Sequence, residues 1–520
     1  MDLLDIYLLV LCGVLGFTVS WGVIHLILQS RVLQGLASPR PAFHQTHKTP
    51  VPRLGGVAFV SVFLLIALIA FGWFPVDEDR ARTRLVIVFS SLAMFLLGLW
   101  DDIRPLGARK KLIGQILIAG TACLCGIQID VFRNPFTNVD HDLGAWGWGL
   151  TMFWLVALPN LINLIDGIDG LAGGVALMLM CLLMYVGSSW TLFFPALCAA
   201  GMAGALLAFL KYNFPPARIY MGDGGAYFLG YLIAILTLVN SQKGTVVAAL
   251  IAPAFALALP IMDVVLAVLR RGLRGLPVFR ADRKHIHHRL LELGFSRTRT
   301  VLVLYGVSLA FLLMAFGVLW SQGRLVPILF GCACLVLLIA GRSLSFSRDW
   351  FDIGGVLERA SAARRETSYA LALGRWLEME AGRADSVESL WSDFQFLARK
   401  AGFARVKLML ADGQRTWESP EVQVAEPDLH AVQELNGHGV MTLEFSARSD
   451  VVSANLFEQL CELMAEFWHN VARRWQAQNK LPIRFDSRLA AGGSNPQPAR
   501  QNGSGRVNGV HQMTNHGNVG

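Results

Sequence analysis

The stretch GWGLTMFWLVALPNLINLIDGIDGLAGG, Gly147–Gly174, carries no charged residue until Asp166. Its apolar run matches the ~20 residues that a helix needs to cross a bilayer. The far end departs from that pattern. Asn160, Asn163, Asp166 and Asp169 recur at every third position, and Gly167, Gly170, Gly173 and Gly174 interleave with them. Three steps along an α-helix turn about 300°, so successive members stand about 60° apart. Asn160 and Asn163 share a face, whereas Asn160 and Asp169 would point in opposite directions on one continuous helix. The glycines therefore predict a broken helix in which these groups converge. Intramembrane Asn and Asp are costly and mark function; hydrogen-bonded glue between helices is the structural alternative.

The chain around this stretch is built the same way. Of its 520 residues 54% are hydrophobic and 16% charged, against about 25% charged in soluble domains. A purely soluble enzyme, a secreted disulfide scaffold and a disordered protein are excluded. Apolar runs predict an all-α polytopic membrane protein of about eleven transmembrane helices: 6–28, 54–74, 85–100, 112–127, 147–165, 171–186, 191–210, 226–239, 246–269, 301–320 and 325–340. Charges reach ordinary density only after Arg342. The expected organisation is a transmembrane unit (1–341), an amphipathic linker (342–383), a small α+β cytoplasmic domain (384–486) and a disordered tail (487–520). The N-terminal run is too long for a signal-peptide core and follows Asp2 and Asp5 instead of basic residues, so it reads as a retained first helix. The cysteines lie almost entirely in apolar segments and read as small buried hydrophobes.

Lys and Arg set the orientation. Loops after odd-numbered segments hold 19 of them, and the N-terminus with the loops after even-numbered segments holds 6. Cytoplasmic loops carry the basic excess, which puts the N-terminus outside and the C-terminal domain in the cytoplasm. The net charge of +8 is then membrane topology, and no nucleic-acid partner is expected.

Three further polar clusters fall on the same predicted cytoplasmic side. LWDDIRPLGARKKLIGQ (99–115) holds Asp101, Asp102 and Lys111; YMGDGG (220–225) holds Asp223; RADRKHIHHRLLELG (280–294) holds Arg283, His285, His287 and His288. Each has a plain alternative: a solvated helix end, positive-inside charge, or an Asp-capped turn. Together they supply carboxylates for a hard cation such as Mg²⁺ and a basic cradle for phosphate. The His cluster sits among cations and suits a diphosphate better than zinc. The combined chemistry is phosphoryl transfer between a cytosolic anionic donor and a lipid-borne acceptor. A transporter with intramembrane carboxylates is the reading from another class, but such acids belong at the bilayer midplane and these cluster at one interface.

The clusters, in order and joined by HKTPVPRLGG (47–56), resemble the polyprenyl-phosphate N-acetylhexosamine-1-phosphate transferases over about Gln45–Arg299. HIHH in place of three consecutive histidines resembles the bacterial GlcNAc-1-phosphate branch more than the MurNAc-pentapeptide branch. The resemblance implies transfer of GlcNAc-1-phosphate from the UDP-sugar to undecaprenyl phosphate, with UMP released, in the bacterial inner membrane. GalNAc, FucNAc-type and MurNAc-pentapeptide donors are the alternatives. It implies Mg²⁺, with Mn²⁺ as the substitute ion, held by Asp223 and Asn163. Asp101, supported by Asp102, would be the base toward lipid phosphate, and Lys111 would contact phosphate. Asp166 and Asp169 would line the nucleotide or diphosphate pocket, with Asn160 and Asn163 also on substrate. His285, His287, His288 and Arg283 would bind the sugar diphosphate. The product would open a surface-glycan pathway such as O-antigen or cell-wall polymer, and a homodimer is an open option.

In the C-terminal region SVESLWSDFQFLARKAGF (386–403) has helical spacing. ARVKLMLA (404–411) and VMTLEFSA (440–447) read as strands, and SANLFEQLCELMAEFWHNVARRW (453–475) as a long helix that Ser453 can cap. No catalytic constellation is present there.

Overall fold

The computed structural model describes residues 3–30, 51–74, 76–133, 139–189, 193–241, 253–258, 261–265, 290–291, 293–321, 324–343, 353–410, 413–419, 426–437 and 439–480, with isolated positions 268, 272 and 483. Ten apolar helices are described: α1 (Leu3–Gln29), α2 (Gly55–Trp73), α3 (Glu78–Ile103), α4 (Ala108–Leu124), α5 (Ala145–Ile165), α6 (Leu171–Ser189), α7 (Phe193–Asn213), α8 (Gly222–Ser241), α9 (Arg297–Trp320) and α10 (Val326–Ser343). A short antiparallel ribbon, β1 (Val131–Arg133) with β2 (Asp140–Asp142), joins α4 to α5. Among the described residues eight helices are long and apolar enough to cross a membrane, all of these except α4 and α10. The expected count of eleven is therefore not reached there, and most of the ninth predicted span, 246–269, lies outside the described residues. The chain is a multi-pass membrane protein.

α8 is the axis. Phe228, Leu229, Tyr231, Leu232 and Ile233 are all fully buried, and the helix packs on α3, α5, α2 and α6. Its apolar run is the shortest read from the sequence because it needs no lipid-facing surface. The small residues Gly222, Gly224 and Gly225 lengthen it at one end, as expected where membrane helices approach closely. Toward the other end Thr237 is satisfied by the Trp154 indole N–H at 2.8 Å.

α3 starts seven residues before its expected beginning at Leu85, with the Asp77 side chain accepting from Arg80 N. Arg84, counted as a loop charge, is instead buried inside the helix. Its guanidinium donates to Ala70 O (3.2 Å) and Phe74 O (2.7 Å) and lies over the Phe194 ring. A cation thus satisfies carbonyls at the C-terminus of α2, where the helix dipole favours positive charge.

The C-terminal region has a second core. α11 (Ile353–Glu380), α12 (Val387–Lys400), β3 (Arg405–Leu410), β4 (Gly413–Glu418), β5 (Leu429–Gly437), β6 (Gly439–Ala447) and α13 (Ala454–Asn479) follow in order. The sheet is antiparallel with strand order β4-β3-β6-β5. Val406, Leu408, Leu443 and Phe445 face a core shared with Trp391, Phe394 and Trp468, and the Phe394 and Trp468 rings stand 5.0 Å apart. Cross-strand pairs Arg405–Glu418 (2.7 Å) and Lys407–Glu444 (3.5 Å) lie on the other face. Residues 353–380, placed in the linker by sequence, form α11, whose Ala370 and Leu377 join this core. Ser453 stands at the N-cap of α13, but its side chain makes no capping hydrogen bond. The tail from 487 lies outside the described residues.

Candidate active site

Two chain-distant stretches, the α3–α4 corner and the start of α8, meet at Lys111, in the first turn of α4. Its ammonium lies 2.6 Å from Asp101 Oδ2 and 2.9 Å from Asp223 Oδ2, all three side chains being largely buried. Asp101 closes α3, and its other oxygen accepts Leu106 N at 2.6 Å. Both oxygens of Asp101 are thus engaged.

Asp102, the adjacent residue, does something different. Its two oxygens accept the backbone N–H groups of Asp223 (3.0 Å) and Gly224 (2.9 Å), the open donors at the start of α8. A carboxylate contributed by α3 therefore caps α8 and orients the Asp223 side chain. This grip needs glycine at 222, where φ is +75° and a Cβ would sit 2.5 Å from Arg53 O and 2.7 Å from Asp102 Oδ2. It also needs Gly98, where a Cβ would lie 2.5 Å from Asp223 O. The segment before α2 completes the frame: Tyr220 N donates to Pro52 O, Gly55 N to Tyr220 O and Gly56 N to Met221 O, at 2.9, 2.9 and 3.1 Å. HKTPVPRLGG and YMGDGG are thereby joined through backbone.

The glycine-interleaved stretch breaks as its spacing implies. α5 stops at Ile165, α6 begins at Leu171, and between them Gly170 takes φ +84°. Asp166 caps the end of α5. Burial raises its pKa well above the usual carboxylate range, the charges of Asp223 and Asp102 raise it further, and Arg53 opposes them. Asp169 Oδ2 accepts Ala217 N at 3.0 Å, so one oxygen of this carboxylate holds a loop. Asn163 is half-buried near the end of α5. Asn160 lies about 9 Å further along the axis from Asp166 and donates to Gln115 Oε1 (2.6 Å) and Val156 O (2.7 Å). The structure therefore joins Asp101 and Asp223 through Lys111 and ties Asp102 to the backbone at Asp223; Asp166 is near enough to feel the charges of Asp223 and Asp102, and Asn160 is bonded elsewhere. Arg283, His285, His287 and His288 lie outside the described residues.

Sequence reasoning missed Asn213, Tyr305 and Gln115. Asn213 is 1% exposed; it accepts Gly170 N at 2.8 Å and donates to Ile219 O at 2.8 Å. Tyr305 OH donates to Gly170 O at 2.6 Å. The Asn213 and Tyr305 bonds go to backbone atoms, and Gln115 accepts from the Asn160 side chain; no residue spacing announces them.

Among the described residues no group of three or more His, Cys, Asp or Glu side chains is gathered as a complete metal cage. Mg²⁺ does not require one, since it commonly takes one or two carboxylates and completes its shell with water and substrate phosphate oxygens. Asp223 and Asp166 suit that mode. Burial among like charges disfavours the ionised form of Asp166, and a nearby divalent cation would relieve that repulsion.

The described residues thus define a multi-pass membrane protein with a carboxylate–lysine centre at one end of its helices. Residues 84–241 match glycosyl transferase family 4. The chain is 33% identical to the probable undecaprenyl-phosphate N-acetylglucosaminyl 1-phosphate transferase of Bacillus subtilis, over 54% of this chain and 76% of that protein. It is 33% identical to the decaprenyl-phosphate N-acetylglucosaminephosphotransferase of Mycobacterium tuberculosis (54% and 74%). It is 30% identical to the phospho-N-acetylmuramoyl-pentapeptide-transferase of Desulforudis audaxviator (58% and 94%). The chain belongs to the polyprenyl-phosphate N-acetylhexosamine-1-phosphate transferase family, and is by that membership a membrane transferase.

Proposed function

We propose that the protein transfers GlcNAc-1-phosphate from UDP-GlcNAc to undecaprenyl phosphate at the cytoplasmic face of the membrane, giving the lipid-diphosphate-linked sugar and UMP. The observation that carries this reading is the Lys111 bridge between Asp101 and Asp223, which sets a cation and two carboxylates at the helix ends where a lipid headgroup and a cytosolic nucleotide can meet. Two relatives named for GlcNAc transfer support the donor. So does HIHH at 285–288, where Ile286 interrupts the histidine run.

Mg²⁺, held by Asp223 with Asp166 and Asn163, would neutralise the phosphate charge that builds up during transfer. The protein's own groups do the rest. An oxygen of the lipid phosphate attacks the sugar-bearing phosphorus of the donor, the bridging P–O bond breaks, and UMP leaves with that oxygen. A phosphate monoester is mostly dianionic at pH 7, its second pKa being near 6, so no strong base is needed to activate it. Lys111 draws the acceptor phosphate toward the centre. Asp101 fixes Lys111 while Asp102 holds Asp223 in place. A covalent aspartyl-phosphate route is disfavoured, because Asp101 would have to surrender the Lys111 or the Leu106 contact before acting as nucleophile. Asp169 and Asn160, each bonded within the protein, are left to shape the donor pocket, and His285, His287, His288 and Arg283 to bind the sugar diphosphate.

The test uses membranes containing the protein, undecaprenyl phosphate, Mg²⁺ and labelled UDP-GlcNAc. Label should enter the lipid phase in step with UMP release, and Asp223→Asn should abolish both. Label transfer from UDP-MurNAc-pentapeptide but not UDP-GlcNAc would overturn the donor assignment; transfer independent of divalent ions would overturn the metal role.

A further inference from the structure

The turn Asp166–Gly170 carries two of the site's carboxylates, and besides local backbone bonds such as Gly174 N to Gly170 O (3.0 Å) it is held by three bonds from distant parts of the chain. Ala217 N reaches Asp169 Oδ2 at 3.0 Å, Asn213 Oδ1 accepts Gly170 N at 2.8 Å, and Tyr305 OH donates to Gly170 O at 2.6 Å. Asn213 ends α7 and is 1% exposed. Its amide nitrogen donates to Ile219 O at 2.8 Å, so one side chain staples the turn to the segment that leads into Gly222 and Asp223. Tyr305 comes from α9, outside the residues that match the family. It reaches Gly170 only because position 174 has no side chain: a Cβ there would lie 2.1 Å from the Tyr305 ring and hydroxyl. Gly174, left unexplained by the polar spacing, thus has a packing reason.

We propose that Asn213 and Tyr305 are positioning residues that set the separation of Asp166 from Asp223, and through it the affinity of the site for its divalent cation. Neither touches substrate. Asn213 ties the turn to the start of α8 from beneath, and Tyr305 clamps the same glycine from α9. Releasing either bond leaves both carboxylates present and frees one to move. This inference rests on the proposed reading of Asp166 and Asp223 as the cation-facing pair, and its first test does not depend on that reading.

Tyr305→Phe deletes one oxygen and keeps the ring. In the full-length protein in detergent, without substrate or metal, hydrogen exchange at residues 166–171 should rise about tenfold, the loss expected for one hydrogen bond of about 1–1.5 kcal/mol, with α1 unchanged. In the transferase assay the half-saturating Mg²⁺ concentration should rise about tenfold, while turnover at saturating Mg²⁺ stays within about twofold of wild type. Asn213→Ser should do the same and also raise exchange at 217–221. Asn213→Asp, which keeps the acceptor for Gly170 N, should fall between. Gly174→Ala gives an independent route, since it displaces the Tyr305 hydroxyl without altering it. Unchanged exchange at 166–171 in Tyr305→Phe overturns the proposal. So does raised exchange with turnover reduced equally at all Mg²⁺ concentrations, which is the signature of general destabilisation. If wild type transfers no sugar phosphate, the proposed function fails, and the exchange pattern alone decides whether these residues hold the turn.

Discussion

Asp102→Asn is the substitution that best separates placement from chemistry. In wild type one carboxylate accepts two backbone N–H groups, from Asp223 and Gly224, at 3.0 and 2.9 Å. Asparagine has nearly the same shape but a single oxygen. One bond survives in neutral form, and at the other position an NH₂ group faces an N–H, donor against donor. A hydrogen bond to a charged group contributes about 1.5–3 kcal/mol, and a charge at a helix N-terminus adds about 0.3–1 kcal/mol. The substitution should therefore cost the start of α8 about 2–4 kcal/mol. At 1.4 kcal/mol per factor of ten, the arrangement that holds Asp223 against Lys111 falls in population by about 30- to 1,000-fold relative to its alternatives. Turnover should drop within that range. Hydrogen exchange at residues 223–226 should accelerate by a comparable factor, while the buried middle of the same helix, Phe228–Leu236, stays protected. Asp101→Asn makes the contrast: its Leu106 contact can persist through the remaining oxygen, so exchange at 223–226 should stay near wild type even as activity falls. The reasoning is refuted if Asp102→Asn abolishes turnover with exchange at 223–226 unaltered, because Asp102 would then act on substrate and not through Asp223.

Other substitutions probe the surrounding structure. Lys111→Met leaves Asp101 and Asp223 without their shared ammonium; breaking a buried pair costs about 3–5 kcal/mol and a partly exposed one less, so turnover in membranes should fall at least about 30-fold. Arg84→Met removes both donors from the end of α2; Ala70 O keeps the Phe74 N–H but Phe74 O loses its donor, so the thermal transition in detergent should fall, at about 1–3 kcal/mol for the carbonyl left unpaired, while specific activity well below that transition should be retained. In the C-terminal domain, burial and nearby Arg473 depress the pKa of His469. The neutral ring is favoured in the fold, so its contribution is fully present above the ordinary value near 6.5 and is lost as pH falls through the depressed value. Protection factors across α13, taken relative to the base-catalysed intrinsic exchange rate, should fall in wild type as pH drops below about 6.5, and less so in His469→Gln.

Sequence and structure agree most closely where function forces polar residues into an apolar background. Asp101, Asp166 and Asp223 were legible because carboxylates at the ends of lipid-compatible runs have few cheap explanations. The α5–α6 break was legible because a three-residue polar repeat cannot share one helix face. The structure departs from sequence reasoning where burial replaces lipid. A hydropathy window measures the tendency to face hydrocarbon, yet α8 faces protein on nearly every side, so the most buried helix gave the shortest apolar run. The same limit hid Arg84, whose charge looked like a loop marker although its carbonyl partners make burial tolerable.

A division of labour within the aspartate pair is the less visible part of the site. Asp101 and Asp102 are adjacent and chemically identical, and only three-dimensional context separates them: one meets Lys111, the other meets backbone. Asn213 and Tyr305 act at the same remove, on the main chain of Gly170. Side-chain-to-backbone bonds need only a polar atom in the right place, so they impose no spacing on the sequence, and residues far apart in the chain can supply them. The clustered carboxylates could thus be read from composition and order, whereas the residues that hold them in place became visible only with the fold. Much of the centre's geometry is therefore set by side chains that need never contact a substrate. Substitutions in that layer should alter cation affinity and the placement of Asp166 and Asp223 before they alter the chemical step.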